Sequence, residues 1–172
     1  MKILSSEPIY QGRIFDVRID TIREGEIEYK REIIAHKGSA VIVPVFADNT
    51  VALVRQYRHA AGKHLLEIPA GSLETGEDPR EGAIRELEEE IGVVAENVEK
   101  IAEFYVSPGF LTEKMFVYLA TGLTETAQNL EDDEIVEIVR IPLAKALEMA
   151  QTGEIEDAKT IVGLTIAEAR TE

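Results

Sequence analysis

A chain of 172 residues is the size of one ordinary domain, and a hydrophobic content of 45% is enough to bury a core. Thirty-three acidic residues against 18 basic ones leave a net charge of −15, which repels nucleic acid and anionic lipid and makes any phosphate-bearing substrate depend on metal ions and a few placed arginines. Cysteine is absent, which excludes disulfides and thiolate metal sites; no apolar run is long enough to span a membrane and no basic-then-apolar leader opens the chain, so the expectation is a cytoplasmic protein without membrane or nucleic-acid partners.

In chain order, residues 8–104 read mainly as strands. Residues 15–23 and 27–33 alternate apolar and polar side chains across a Glu24-Gly25-Glu26 turn, which predicts a hairpin. Residues 40–46 and 51–57 predict a second hairpin across Asp48-Asn49, with Pro44 marking an edge or a bulge. Residues 65–70 form a short strand ending at Gly71. A helix follows over 79–91: Asp78 caps it, Pro79 suits its first position, Glu81 completes a capping box and Gly92 stops it. Residues 98–105, 115–121 and 135–141 read as strands. Two more helices cover 143–151, between Pro142 and Gly153, and 157–170, with Ile161, Val162, Thr165, Ile166 and Ala169 on one face. Strands and helices intermix without regular βαβ alternation, which predicts an α/β fold on a mixed sheet.

The first helix breaks electrostatic rules. Advancing ~100° per residue, Ile84, Leu87 and Ile91 form one apolar stripe, and Glu86, Glu89 and Glu90 share the face opposite. Glu86 and Glu90 are like charges at i,i+4, costing roughly 0.2–0.5 kcal/mol. Glu88, Glu89 and Glu90 sit in the last turn, where the helix dipole disfavours each acid by about 0.3–1 kcal/mol. Only Arg80 and Arg85 offset them locally. Both penalties count against a merely solvated acidic face and call for a cation. Hard oxygen ligands with no histidine or cysteine nearby point to Mg²⁺ or Mn²⁺.

The same stretch carries a longer pattern. Gly71, Glu77, Arg85, Glu86, Leu87, Glu89, Glu90, Gly92 and Val93 stand in the spacing G-x5-E-x7-R-E-U-x-E-E-x-G-U, with U a bulky aliphatic residue. This resembles the Nudix box at every specified position. Arg55-Gln56-Tyr57-Arg58-His59 and Leu66-Glu67-Ile68-Pro69-Ala70-Gly71 upstream, with Ser107-Pro108-Gly109-Phe110 and Glu113 downstream, look like the ADP-ribose pyrophosphatase branch of that family, and the likeness runs from roughly residue 8 to 167. It implies a Nudix-type α/β/α sandwich with a mixed sheet over 39–172, preceded by an N-terminal antiparallel β arm over 1–38. It also implies Mg-dependent cleavage of ADP-ribose to AMP and ribose 5-phosphate. Another nucleotide derivative (a nucleotide sugar, a dinucleotide or an oxidised nucleoside triphosphate) is the alternative substrate. A non-catalytic nucleotide-binding module is the third reading, disfavoured because every box carboxylate is retained.

The resemblance also assigns roles. Glu86 and Glu90 are the principal metal ligands, Glu89 is a further one, and the main-chain carbonyl of Ala70 joins them around two or more Mg²⁺ ions, with Mn²⁺ as substitute. Glu77 and Arg85 are read as structural, Arg85 pairing with Glu81 and Glu89 at helical spacing. The base is expected in the acidic stretch 130–137, as Glu134 first and Glu131 second, on a loop of the kind that closes over substrate. Arg58 and Arg31 are expected on the phosphates. Glu67, Pro108, Gly109 and Glu113 are placed with the substrate-binding set, Glu67 with a structural partner as the other option. His36, His59 and His64 lack metal-ligand spacing. Tryptophan is absent, so Tyr10, Phe15, Tyr29 or Phe110 would stack on the nucleobase. In this branch the N-terminal strands come from a partner subunit, which implies a homodimer with shared sites.

Overall fold

The computed structural model describes residues 1–130 and 135–171. Its N-terminal strands β1 (Lys2–Gln11), β2 (Phe15–Glu24) and β3 (Ile27–His36) form a separate antiparallel sheet. The predicted hairpin is present, turning at Gly25 with φ 60°. β1 was not legible as a full strand, because its apolar residues do not alternate cleanly. It pairs with β2 through two irregularities and is exposed along its whole length.

β4 (Ser39–Pro44) is buried from end to end. Side chains alternate across a strand, so Val41 and Val43 join one core with Leu53, Val117 and Leu164. Ala40 and Ile42 join another with Ala83, Leu87 and Tyr118. A continuous apolar run is what a strand covered on both faces requires. Downstream come β5 (Thr50–Arg58), β6 (Lys63–Glu67), β7 (Ala70–Ser72), helix α1 (Pro79–Glu86), β8 (Val93–Tyr105) and β9 (Lys114–Glu125). The chain closes with β10 (Val136–Pro142), α2 (Leu143–Thr152) and α3 (Ala158–Thr171).

The central sheet has the order β7-β4-β9-β8, with β4 and β9 parallel and the other pairs antiparallel. α1 packs on one face and α3 on the other, giving the expected α/β/α sandwich. β10-β5-β6 forms a second, antiparallel sheet. This overturns the predicted hairpin of residues 40–46 with 51–57. The turn exists, with Asn49 at φ 60° and Phe46 N donating to Thr50 O at 2.9 Å. Beyond a single bridge between Val45 and Val51, the two strands part into different sheets. Pro44 meets the edge expectation rather than the bulge: it closes β4 past the reach of β7, where that side of the strand is unpaired and no ladder donor is needed, though the residue itself is buried.

The arm meets this body where Ile34 bridges Leu111, through Ile34 N to Phe110 O at 2.8 Å and Thr112 N to Ile34 O at 2.9 Å.

Candidate active site

The site begins where β6 turns into β7. Pro69 O accepts from Ile42 N at 3.0 Å, and Ile68 N donates to Thr160 Oγ1 at 2.8 Å. The peptides leading to Ala70 and Gly71 are thus held by the central sheet through β4 and by α3. From Gly71 the chain loops to Asp78, whose carboxylate accepts from Arg80 N at 2.8 Å and starts α1. Glu81 turns to Arg80 at 3.3 Å.

α1 does not stay α-helical to its end. Leu87–Ile91 is a π-helical turn, closed by Gly92 at φ 67°. A π-bulge widens the helix by one residue per turn and is frequent at functional sites. It also invalidates a wheel drawn at a constant α-helical step. Glu86 and Glu90 are not on a solvent face: they are 7% and 3% exposed. They share the buried face with Ala83, Leu87 and Ile91, turned toward Ala70 and Gly71 of β7, and Ile84, expected in the apolar stripe, is only partly buried. Glu86 lies over Gly71 so tightly that a Cβ there would overlap its carboxylate, and Glu90 Oε2 accepts from Ala70 N at 3.2 Å.

Arg85 holds the acidic face together. Its Nε and NH2 donate to both oxygens of Glu77 at 3.0 and 3.3 Å, and its NH1 donates to Glu86 at 2.7 Å and Glu89 at 2.9 Å. The Glu77 hydrogen bond, against the opposing effect of burial, raises the arginine's pKa. The same contact holds the Glu77 carboxyl below its usual range. The expected pair of Arg85 with Glu89 forms. The pair with Glu81 does not, since Arg85 reaches back to Glu77 instead.

The far end of this helix is capped from a distant segment. Thr126 N donates to Gly92 O at 2.6 Å, Gln128 Nε2 to Glu90 O at 2.6 Å, and Asn129 N to Glu89 O at 3.1 Å. Terminal helix carbonyls lack partners of their own, and these bonds supply them.

A cleft of about 490 Å³ opens over Ala70, Gly71 and Glu86, and Arg13, Lys37, Arg58 and Arg85 line it. Glu74 lines it as well, and Arg58 and Arg85 are already paired with Glu67 and with Glu77, Glu86 and Glu89, so Arg13 and Lys37 add to a cleft where cations gather in a chain of net charge −15. A smaller hollow of about 180 Å³ shares Arg58, Ala70 and Gly71 and adds Ser39, Glu113 and Lys159. Glu113 accepts from Ser39 Oγ at 2.7 Å.

The other expected residues are placed less uniformly. Arg58 lines both hollows and is bidentate to Glu67, at 2.7 Å for each bond. Glu67 is 1% exposed, so it reaches a ligand only through Arg58: a structural partner is what it has. Arg31 stands off this cleft, stacked 4.3 Å over the Tyr29 ring. Pro108 and Gly109 lie on the exposed turn after β8, outside the cleft lining. Glu131 and Glu134 lie outside the described residues. Sequence reasoning missed Arg13, Lys37, Lys159 and Gln128. It gave His36 no chemistry; its Nδ1 accepts from Gly38 N at 3.0 Å at the cleft wall. None of these carries a local sequence signal. Among the described residues no three histidine or acidic side chains converge as a metal cluster. The hard oxygens gathered here are the two inward carboxylates of Glu86 and Glu90 beside the Ala70 and Gly71 backbone.

The family described as the NUDIX domain matches residues 36–162. The chain is 38% identical over 167 residues to the methanol dehydrogenase activator of Bacillus methanolicus, covering 95% of this chain and 90% of that protein. It is 38% identical over 163 residues to the ADP-ribose pyrophosphatase of Bacillus subtilis, covering 92% and 88%. A crystal structure of an ADP compounds hydrolase shares the fold, with a TM-score of 0.84 at 22% identity over 98% of this chain and 92% of that one.

Proposed function

This chain belongs to the Nudix family, and on that premise we propose that it hydrolyses the diphosphate bond of ADP-ribose, releasing AMP and ribose 5-phosphate. The observation that carries the reading is the pair of box carboxylates, Glu86 and Glu90, turned inward onto the Gly71 and Ala70 backbone, with Glu86 opening on a cleft that Arg13, Lys37 and Arg58 also line. A relative of 38% identity named ADP-ribose pyrophosphatase supports the choice of substrate.

The donor set suits Mg²⁺ or Mn²⁺. Carboxylate and carbonyl oxygens are the hard ligands these ions take, and Gly71 has no Cβ to fill the space beside Glu86. Glu86, Glu90 and the Ala70 carbonyl would hold two or more ions, with Glu89 next to them. When bound, the ions offset phosphate charge and acidify water. The chain's own residues do the rest. Arg58 presents its guanidinium to the diphosphate, and Arg85 with Glu77 keeps the carboxylates in place. Glu134, or failing it Glu131, is the proposed base, on sequence grounds. Glu113 borders the substrate, Pro108 and Gly109 would meet only a portion of it that extends beyond the cleft, and Arg31 would reach it from a partner's arm.

The arm, 1–38, is read as a dimerising element ahead of the hydrolase domain, 39–172. Ile3, Ile9, Tyr10, Ile14 and Ile27, all exposed on it, support a homodimer. Among the described residues no helix is long and apolar enough to cross a membrane. Cytoplasmic location is part of the proposal.

The test is hydrolysis by the purified chain with and without Mg²⁺, against ADP-ribose, a sugar nucleotide, a dinucleotide and nucleoside triphosphates. AMP and ribose 5-phosphate in equal amounts, lost with chelator, are expected. A ten-fold higher kcat/KM on another member of the panel would reassign the substrate. No turnover of any of them with metal present would overturn the enzymatic reading.

A further inference from the structure

Lys159 is 7% exposed, at the wall of the smaller hollow that it shares with Arg58, and its ammonium stands one ion pair away from the larger cleft. Nζ binds Glu67 Oε2 and lies 3.1 Å from Asp157 Oδ2. Glu67 in turn grips Arg58 with both oxygens, and Arg58, whose side chain is 39% exposed, is the member of the chain that opens on the cleft. Two cations and two anions therefore alternate from the first residues of α3 to the cleft wall.

The N-terminus of α3 is itself fastened there. Asp157 Oδ2 accepts from Thr160 N at 2.9 Å and Thr160 Oγ1 at 2.5 Å, and that hydroxyl oxygen accepts from Ile68 N. Burial alone would push the Glu67 carboxyl up, and Arg58 and Lys159 outweigh it, holding the group ionised below its usual range. Remove the Lys159 charge and Arg58 meets more of the negative charge of Glu67 and Asp157, which with Glu90 already draw on it. Its fork is then held more tightly inward and projects less positive charge toward an anion.

We propose that Lys159 is a positioning residue for Arg58: acting through Glu67, it keeps the guanidinium aimed at the cleft and so sets the affinity for the substrate diphosphate. This rests on the reading that Arg58 meets the diphosphate. A single carboxylate shared by two cations leaves each of them partly unneutralised. The C-terminal helix thereby tunes binding through Lys159.

The experiment is a kinetic cycle on the full chain with ADP-ribose: wild type, Arg58→Ala, Lys159→Met and the double variant, each checked by its melting curve. Arg58→Ala should raise KM about ten- to a hundredfold, the range for a charge-assisted hydrogen bond. Lys159→Met should raise KM roughly three- to thirtyfold with kcat within about threefold, and add nothing in the Arg58→Ala background, as expected for two residues in one network. Lys159→Arg, which keeps the charge, should recover much of the loss. Should Lys159→Met fail to fold, Lys159→Gln, which retains a donor to Glu67, carries the same comparison. An unchanged KM in Arg58→Ala would remove the arginine from the site and the proposal with it. A raised KM in Arg58→Ala, with Lys159→Met either silent or equally harmful in both backgrounds, would leave the arginine in place and overturn the relay alone.

Discussion

Glu86 lies directly across Gly71, so that the glycine's missing side chain is the space its carboxylate occupies. The contact ties a residue of α1 to the start of β7 and fixes where one box carboxylate can point. Gly71→Ala should therefore displace the carboxylate without unfolding the chain, because the clash falls on the far end of a flexible side chain. Misplacement by about 1 Å can cost on the order of 10²-fold in rate. A loss of kcat/KM of that size with a nearly unchanged melting temperature is expected, and wild-type kinetics would mean that the Glu86 position does not matter.

Glu90→Gln keeps an oxygen able to accept from Ala70 N, so the local fold should survive. It removes the negative charge a divalent cation would meet. Changing even an outer partner of a metal ligand costs about 10–100-fold, so at least that is expected in apparent Mg²⁺ affinity or activity. Near-wild-type turnover at low Mg²⁺ would exclude Glu90 as a ligand.

Glu67 gives a pH signature. Its folded pKa is held below the ordinary 4.5: burial raises it, and Arg58 and Lys159 more than reverse that. A depressed carboxyl pKa stabilises the fold above the unfolded value, and the contribution is lost as pH falls through the folded value. Glu67→Gln should destabilise by roughly 3–5 kcal/mol at neutral pH, the figure for breaking a buried pair; the lower end applies because Arg58 is partly exposed. The gap in melting temperature between wild type and variant should be flat above about pH 5 and narrow below it. A gap that stays constant into strong acid would contradict the assignment.

Gln128 caps the carbonyl of Glu90 from a segment 38 residues away. Gln128→Ala removes a bond worth about 1 kcal/mol, and the π-helical turn that carries Glu89 and Glu90 loses one of its anchors. The Mg²⁺ concentration at half-maximal activity should rise about threefold to tenfold. A lower melting temperature with an unchanged Mg²⁺ response would show that the cap serves the fold alone.

For the base, Glu134→Gln should lower kcat by about 10²- to 10⁴-fold, the usual contribution of general-base catalysis, with KM almost unmoved. Glu131→Gln should be much milder. Loss at 131 alone would transfer the role, and mild effects in both would leave activation of the water to the metals.

The sequence by itself determined what is local. Asp78, Pro79 and Gly92 mark the helix ends because capping and left-handed closure are properties of a few consecutive residues. The spacing from Gly71 to Val93 identified the carboxylates because it sits in one unbroken stretch. Only the tertiary structure decided which way those carboxylates face, since the buried face of the helix takes in Glu86 and Glu90 beside Ala83 and Leu87, where the side-chain-free Gly71 leaves room for a carboxylate. It also decided that β4 and β5 part company: the turn between them is local, but each takes its partner strand from much later in the chain, β4 from β9 and β5 from β10. The pairing of Lys159 with Glu67 spans 92 residues. No periodicity records such a contact, because it exists only once α3 has packed against the sheet and excluded the water that would otherwise solvate both charges.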